Sequence, residues 1–437
     1  MRKMKDSGIE WIGQIPIDWE IKRLKAVLCE RNESNNPVKT DYILSLTNDR
    51  GVIPYEEKGD VGNKSKEDVS GYKLAYPDDI VLNSMNVIIG SVALSKYYGC
   101  VSPVYYMLYP RNSLDDVRYY NYIFQTKEFQ SKLKGYGNGI MEIRMRIQMS
   151  KLNTVDLPIA DSATQSRIAD YLDEKCDAID RYIEKQQQII EKLKAYKQAV
   201  ITEAVTKGLD PTVPMKHSGI EWIGMIPEHW MVAKLANLFS FLGGYAFNSD
   251  TYIPETNNQI IRIGNVKNDN LLFDANPVYI SDEFAKQVDR FKLQADDILF
   301  TMTGTKGKRD YFYTLIVNNS YLHAKNLYLN QRVGCFRKKA NICAEYYNYL
   351  LKDSRILDSI FLYETGTANQ GNLGIESINR TKVHLPPYNE QVSIAMYLKK
   401  ECESIDKAIE KIEAVISNCF EYKKSLIYEA VTGKLEV

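Results

Sequence analysis

The sequence predicts an α+β fold: two mixed α/β globular units separated by two long helices that pair as an antiparallel coiled coil, with a pseudo-twofold internal repeat. Three observations predict it. The stretch SGIEWIGQIPIDW at 7–19 returns as SGIEWIGMIPEHW at 218–230, with ten of thirteen positions identical. IADYLDEKCDAIDRYIEK at 168–185 returns as IAMYLKKECESIDKAIEK at 394–411, and in the same register EAVT at 203–206 falls on EAVT at 429–432. Between these flanks, 20–155 against 231–383, similarity nearly vanishes.

The front copies are offset by 211 residues and the back copies by 226, so the second half holds 15 extra residues between its flanks. A few anchors survive inside. Pro77-Asp78-Asp79-Ile80 resembles Ala295-Asp296-Asp297-Ile298, each shaped like a turn entering a strand. Ser150-Lys151-Leu152 followed by Leu157-Pro158 resembles Ser377-Ile378-Asn379 followed by Leu385-Pro386. Simple duplication and drift would erode flanks and middles alike. Similar flanks with divergent middles point to a shared scaffold carrying two domains that recognise different things.

The helices come from the spacing. No Gly or Pro interrupts 164–206, and apolar residues recur at Ile168, Leu172, Cys176, Ile179, Ile183, Ile190, Leu193 and Val200. Gln186 occupies the position between Ile183 and Ile190. The second copy reads Ile394, Leu398, Cys402, Ile405, Ile409, Ile412, Ile416 and Cys419. About 43 residues give roughly 64 Å of helix at 1.5 Å per residue. A stripe of that length needs a partner, and the other copy matches it in length. Antiparallel pairing within the chain is the expected arrangement, with self-association between chains as the alternative. The domains expected are 1–158 and 212–386, with the helical spacers at 159–211 and 387–437. The order of the repeated segments is that of a ring of two units cut between Val437 and Met1, which places the termini near each other.

Composition excludes several classes. The 437 residues suit two or three domains, and 44% hydrophobic with 26% charged residues is that of a folded soluble chain. No run approaches the ~18 apolar residues that span a bilayer, so no membrane role is expected, and the expected location is the cytoplasm. Lys plus Arg and Asp plus Glu balance at 56 each, which gives no global signature of a nucleic-acid partner. Seven scattered cysteines without a CxxC pair, and four dispersed histidines, predict neither a disulfide frame nor a metal centre.

Catalytic motifs are equally absent. Leu385-Pro386-Pro387-Tyr388 is close to the Asn-Pro-Pro-Tyr site of adenine methyltransferases, but Leu385 cannot hydrogen-bond a flipped base. Gly304-Thr305-Lys306-Gly307-Lys308 lacks phosphate-loop spacing. There is no HExxH and no nucleophile elbow. The expectation is a non-catalytic chain.

The twin SGIEWIG segments, the Asp-Asp-Ile turn in each unit, and the Leu-Pro…Glu-Gln lead (385–391) into an Ile-x-x-Tyr-Leu…Glu-Ala-Val-Thr helix together resemble the specificity subunit of a type I restriction–modification enzyme, over about residues 4–436. The first unit departs in having Thr164-Gln165 for Glu-Gln and an entry loop two residues longer, which changes a capping detail. The resemblance implies two target-recognition domains spaced by two conserved helices, each domain reading one half of a bipartite, asymmetric double-stranded DNA target. It implies two methyltransferase subunits docked on the conserved regions, and restriction/translocase subunits beyond them. S-adenosylmethionine, ATP and Mg then belong to those partners, and this chain holds no cofactor. The competing expectation is a coiled-coil scaffold that binds proteins without DNA specificity.

Base readout needs amide, hydroxyl and guanidinium groups on loops or helix ends. In the first unit the candidates are Asn83, Ser84 and Asn86 after the Asp-Asp-Ile strand, and Asn138, Arg144 and Arg146 in a Gly-rich segment. In the second they are Lys306, Lys308 and Arg309, suited to phosphates, and Thr367, Asn369, Gln370 and Asn372 in the later Gly-rich segment. Trp11 and Trp222, at matching positions of the repeat, are expected to pack the spacer onto each domain or to receive a methyltransferase subunit.

A rigid helical spacer fixes the distance between half-sites. Four residues added to each helix lengthen it by about 6 Å, roughly two base pairs. Paired insertions should therefore widen the gap in the target by about that amount and leave each half-site intact. Mapping methylated sites checks this; altered half-site letters would contradict it.

Overall fold

The computed structural model describes residues 2–59, 65, 68–137, 146–267, 269–367 and 370–437. The chain forms two compact units, Met1–Gln188 with Ile412–Val437, and Ile189–Lys411. The two long helices, α1 (Ser162–Lys207) and α2 (Tyr388–Val431), each contribute to both.

The repeated segment folds the same way twice. In the first unit it is a hairpin of Met4–Asp6 with Gln14–Pro16; in the second, Met215–His217 pairs with Met225–Pro227. Ser7 Oγ accepts from the Ile9 N–H at 3.1 Å, and Ser218 Oγ from Ile220 at 3.2 Å. The chain then reverses at Gly13 (φ 68°) and Gly224 (φ 72°), left-handed positions that favour glycine. That turn sends Ile12, Ile15 and Trp19 inward, and Ile223, Ile226 and Trp230 likewise.

Each domain is built on a four-stranded antiparallel sheet. The first contains β1 (Leu28–Arg31), β2 (Ile80–Asn83), β3 (Val92–Leu94) and β4 (Tyr105–Pro110) in the order β1-β4-β2-β3. The second repeats it with β5 (Phe239–Gly243), β6 (Ile298–Thr301), β7 (Thr314–Ile316) and β8 (Val333–Lys338), in the order β5-β8-β6-β7. The Asp-Asp-Ile turn explains itself here. Asp78 (φ 66°) and Asp296 (φ 68°) make the left-handed corner. Asp79 and Asp297, each 1% exposed, accept from the backbone N–H of Tyr76 at 2.9 Å and of Gln294 at 2.8 Å.

Both buried carboxylates hold an arginine, but not the same one. Asp297 pairs with Arg337 of β8, at 2.7 Å. The register puts Tyr109 of β4 where Arg337 stands in β8, since Leu108 and Phe336 oppose Ile80 and Ile298. In the first unit Arg31, from the neighbouring β1, reaches Asp79 at 3.0 Å and lies 4.7 Å from the Tyr109 ring. The need to neutralise a buried charge has persisted while its source moved one strand over.

A two-stranded link, Glu20–Arg23 with Asp156–Ile159, leads into α1; Met231–Lys234 with Lys382–Leu385 leads into α2. Its register corrects one expectation. Ile21 faces Pro158 and Val232 faces His384, so Leu157-Pro158 matches Val383-His384, not Leu385-Pro386. The constant offset of the helices thus extends back through the strand before them.

Within each unit the two long helices run antiparallel. In the first, Ile168, Leu172 and Cys176 cluster with Leu426, Ile427 and Val431, and Lys423 Nζ donates to Asp180 at 2.6 Å. In the second, Val205 clusters with Ile394 and Leu398, and Lys197 Nζ donates to Asp406 at 2.7 Å. Of the stripe residues, Ile168, Leu172, Ile183, Ile190, Ile394, Leu398 and Ile405 are buried. Ile179, Leu193, Ile409, Ile412 and Ile416 are half-buried, as is Gln186.

The glutamine at each helix start is a clamp. Gln165 donates to Ala160 O at 2.9 Å and accepts from Asp116 N–H at 3.2 Å. Gln391 donates to Pro386 O at 2.8 Å and accepts from Cys343 N–H at 2.9 Å. The residue before it matters more than a capping detail. Glu390 accepts from the Trp230 indole N–H at 2.9 Å. Thr164 stands in that place in the first unit and turns to Asp161 instead, leaving the buried Trp19 indole N–H without a protein partner.

Arg337→Ala strands the Asp297 carboxylate and should cost the second unit about 3–5 kcal/mol. Leu242→Arg with Arg337→Tyr rebuilds the first unit's arrangement and should recover part of it. Urea unfolding checks both; a loss from Arg337→Ala below about 1 kcal/mol would place it with ordinary surface pairs.

Candidate nucleic-acid interface

In the first unit the loop after β2 is largely self-satisfied. Asn83 is half-buried, and its side-chain oxygen accepts from Met85 N–H at 3.0 Å. Asn86 is half-buried, and its carbonyl caps Ile89 and Ser91 at 3.0 and 3.2 Å. Ser84 corrects the expectation of a base-reading hydroxyl: it is fully buried and donates to Val104 O at 2.7 Å. Ser84 instead serves as an anchor. Its carbonyl accepts from Ile147 N–H at 2.9 Å, which brings the exposed Arg146 beside this loop. Asn138 and Arg144 lie outside the described residues.

The second unit repeats the anchor. Leu373 N–H donates to Met302 O at 3.2 Å, and these two residues occupy the positions of Ile147 and Ser84. Arg146 and Asn372 are therefore the same position carrying different chemistry. Here the segment forms a three-stranded sheet of Thr303–Gly304, Gln370–Leu373 and Glu364–Thr367. Thr303 faces Asn372, and Thr367 faces Gln370, so the strand that leads into the Lys306–Arg309 loop pairs with the segment that carries the later candidates. Thr367 and Gln370 are exposed and Asn372 is half-buried, while Asn369 lies outside the described residues.

The 302–312 loop is pinned by residues the sequence did not single out. Glu364 accepts from Tyr311 Oη at 2.6 Å and from Gly307 N–H at 3.1 Å. Burial, then that carboxylate, pushes the Tyr311 phenol up, so it stays a donor. Lys306 Nζ donates to Gly366 O at 3.0 Å, and Lys308 is exposed. Arg309 is exposed and pairs with Asp358, and its guanidinium sits 5.8 Å from the Phe361 ring. Arg309 (φ 51°) and Phe312 (φ 63°) hold left-handed backbone, strain of the kind kept at functional loops. Asp358, Phe361 and Glu364 are 49 to 57 residues from the groups they hold, so no local pattern could reveal them.

The long helices also carry apolar residues outside their seam. In the first unit Tyr182, Val415 and Tyr422 are 45%, 39% and 60% exposed. In the second, Ile189, Tyr196 and Tyr397 are 41%, 56% and 39% exposed. Tyr182, Ile189 and Tyr196 recur every seven residues along α1.

The tryptophans of the repeat pack. Trp11 is 8% exposed, with its ring edge-on to Phe129 at 5.3 Å. Trp222 is half-buried and stacks on His384 at 6.4 Å. His384 is buried with neither ring nitrogen bonded to the protein.

Comparison with known proteins agrees with this geometry. The profile of the family described as type I restriction modification DNA specificity domain matches residues 16–195 and again 227–417. The chain belongs to this family, as a specificity subunit that carries the domain twice and recognises DNA sequence. The type I restriction enzyme MjaVIII specificity subunit of Methanocaldococcus jannaschii is 24% identical over 431 residues, covering 97% of this chain and 94% of that one. A chain from a structure of the complex assembly and conformational transition of the type I R-M system shares the fold at TM-score 0.73 and 11% identity, over 96% of this chain and 99% of that one. The HsdS subunit from Thermoanaerobacter tengcongensis matches at TM-score 0.51 and 12% identity, over 96% and 98%. Among the described residues no helix is long and apolar enough to cross a membrane.

Burial lowers the His384 pKa to about 4. The unfolded chain takes up a proton near pH 6.5, so stability is full above that value and falls as the pH drops toward about 4. The loss should reach on the order of 3 kcal/mol. His384→Leu should remove this component; identical acid profiles for the two proteins would contradict the assignment.

Proposed function

We propose that each unit reads one half of a bipartite, asymmetric double-stranded DNA target, and that the long helices dock two methyltransferase subunits. The chain itself is non-catalytic in this reading. S-adenosylmethionine, ATP and Mg act on the methyltransferase and restriction/translocase subunits, and the complex works in the cytoplasm. The observation that carries the division of labour is the shared anchor. Ile147 on Ser84 and Leu373 on Met302 hold the same backbone bond, while the residue beside it is Arg146 in one unit and Asn372 in the other. Arginine suits the O6 and N7 acceptors of guanine; asparagine suits the N6 and N7 of adenine. A scaffold without DNA specificity has no use for one platform with two chemistries. The exposed apolar side chains on the outer faces of both helices support protein docking there, since a seven-residue recurrence beside a seam is what a further helix packs against.

Methylation-site profiling of the complex tests this. Arg146→Ala should relax one half-site and Asn372→Ala the other, each by about 1–3 kcal/mol of discrimination. Lys308→Ala should weaken binding uniformly and reduce the salt slope by about one. Relaxation of both halves by one substitution would contradict the reading.

A further inference from the structure

Each backbone anchor has a third member. In the second unit Met302 accepts from Leu373 N–H through its carbonyl and donates its own N–H to Arg332 O at 3.2 Å. In the first, Ser84 accepts from Ile147 and donates to Val104 O at 3.4 Å. Arg332 and Val104 are equivalent, because Thr301 opposes Val333 where Asn83 opposes Tyr105. Both stand in a tight turn ahead of β8 or β4: Val333 N–H donates to Asn330 O at 2.9 Å, and Tyr105 N–H to Ser102 O at 3.0 Å. The second unit's turn is held in place. Gln331 N–H donates to Tyr245 O at 3.0 Å, and Arg332 N–H to the Asn330 side-chain oxygen at 3.3 Å. Gly244 lies so close that a Cβ there would collide with the Asn330 carbonyl. What the two turns show to solvent differs. Gln331 and Arg332 are exposed; in the first unit Pro103 is exposed and Val104 half-buried. Arg309, Arg337, Arg355 and Arg380 of the second unit each hold a carboxylate. Among the described residues no ion pair or side-chain hydrogen bond engages the Arg332 guanidinium.

We propose that Arg332 is a second base-reading residue of the second unit, taking the O6 and N7 acceptors of a guanine in the half-site that Asn372 reads. This rests on the reading that each unit addresses one half-site. The backbones of Arg332 and Leu373 flank Met302 on either side, two strand spacings or about 10 Å apart. That separation spans roughly three base pairs at 3.4 Å each, so the guanidinium and the Asn372 amide address different base pairs of one half. An unpaired arginine on a turn already fixed by backbone bonds suits the two-pronged contact with guanine, because less ordering remains to be done on binding. The first unit carries its exposed arginine, Arg146, on the other segment, and its turn offers the Val104 methyl groups, which suit a thymine methyl. The arginine thus stands at opposite ends of the same three-member platform in the two units.

Methylation-site profiling of the full chain co-expressed with its methyltransferase subunit tests this, together with binding of the complex to the mapped target over a range of salt. Arg332→Ala should relax one guanine position by about 10- to 100-fold. That position should lie in the half that Asn372→Ala relaxes, at a different base pair. Arg332→Lys keeps the charge and loses the fork, so it should relax the same position less and leave the salt slope unchanged. Both variants should unfold at the wild-type urea midpoint; a lowered midpoint would assign the guanidinium to the fold instead. Uniformly weaker binding with a salt slope lower by about one, no relaxed position and full rescue by lysine would make Arg332 a phosphate contact and overturn the proposal. Relaxation by Asn372→Ala but not by Arg332→Ala would also overturn it and leave half-site reading intact. Relaxation by neither would overturn that reading as well.

Discussion

Tyr119 Oη donates to the carbonyl of Val431, and Tyr346 Oη to the carbonyl of Val205, both at 3.1 Å. These bonds mark the constraint on which the molecule depends: each domain closes its core on the end of a long helix that begins in the other unit. In the first unit Leu426, Ile427 and Val431 are all buried in the cluster that holds Trp19 and Tyr119. Three such side chains contribute on the order of 6 kcal/mol, against about 1 for the hydrogen bond. Apolar burial therefore fixes the helix end, and the tyrosine sets its register. The Glu-Ala-Val-Thr words are repeated because both helix ends have this task. Chain ends follow suit: Arg2 and Glu436 line one cavity of about 530 Å³.

Much of the fold was legible because its signals are periodic or duplicated. The stripe from Ile168 to Val200 and the twin SGIEWIG segments needed no tertiary knowledge. The Asp-Asp-Ile turn was visible as a motif, yet its partner was not. Arg31 and Arg337 come from strands that are not equivalent, and sheet register alone connects them to Asp79 and Asp297. The same cause shifted the match of Leu157 onto Val383, because pairing with the preceding strand overrides a Leu-Pro resemblance.

The interface was less legible. Polar loop residues look alike in sequence whether they face a groove or the protein. Ser84 faces the protein and Arg309 is already paired, whereas Arg146 and Asn372 gain meaning from a backbone bond made tens of residues away. In the proposed reading, side chains around a fixed backbone anchor carry the specificity, so the letters read can change without disturbing the core. That is consistent with middles that diverge on flanks that do not.

The central claim is that two structurally equivalent units with different reading surfaces address two different half-sites at a spacing set by the helices. The most direct measurement is to co-express the chain with its methyltransferase subunit and map methylated adenines across a genome. The account predicts one asymmetric motif made of two unlike halves at a fixed separation. A continuous motif, a palindrome of two identical halves, or methylation without sequence preference would contradict it.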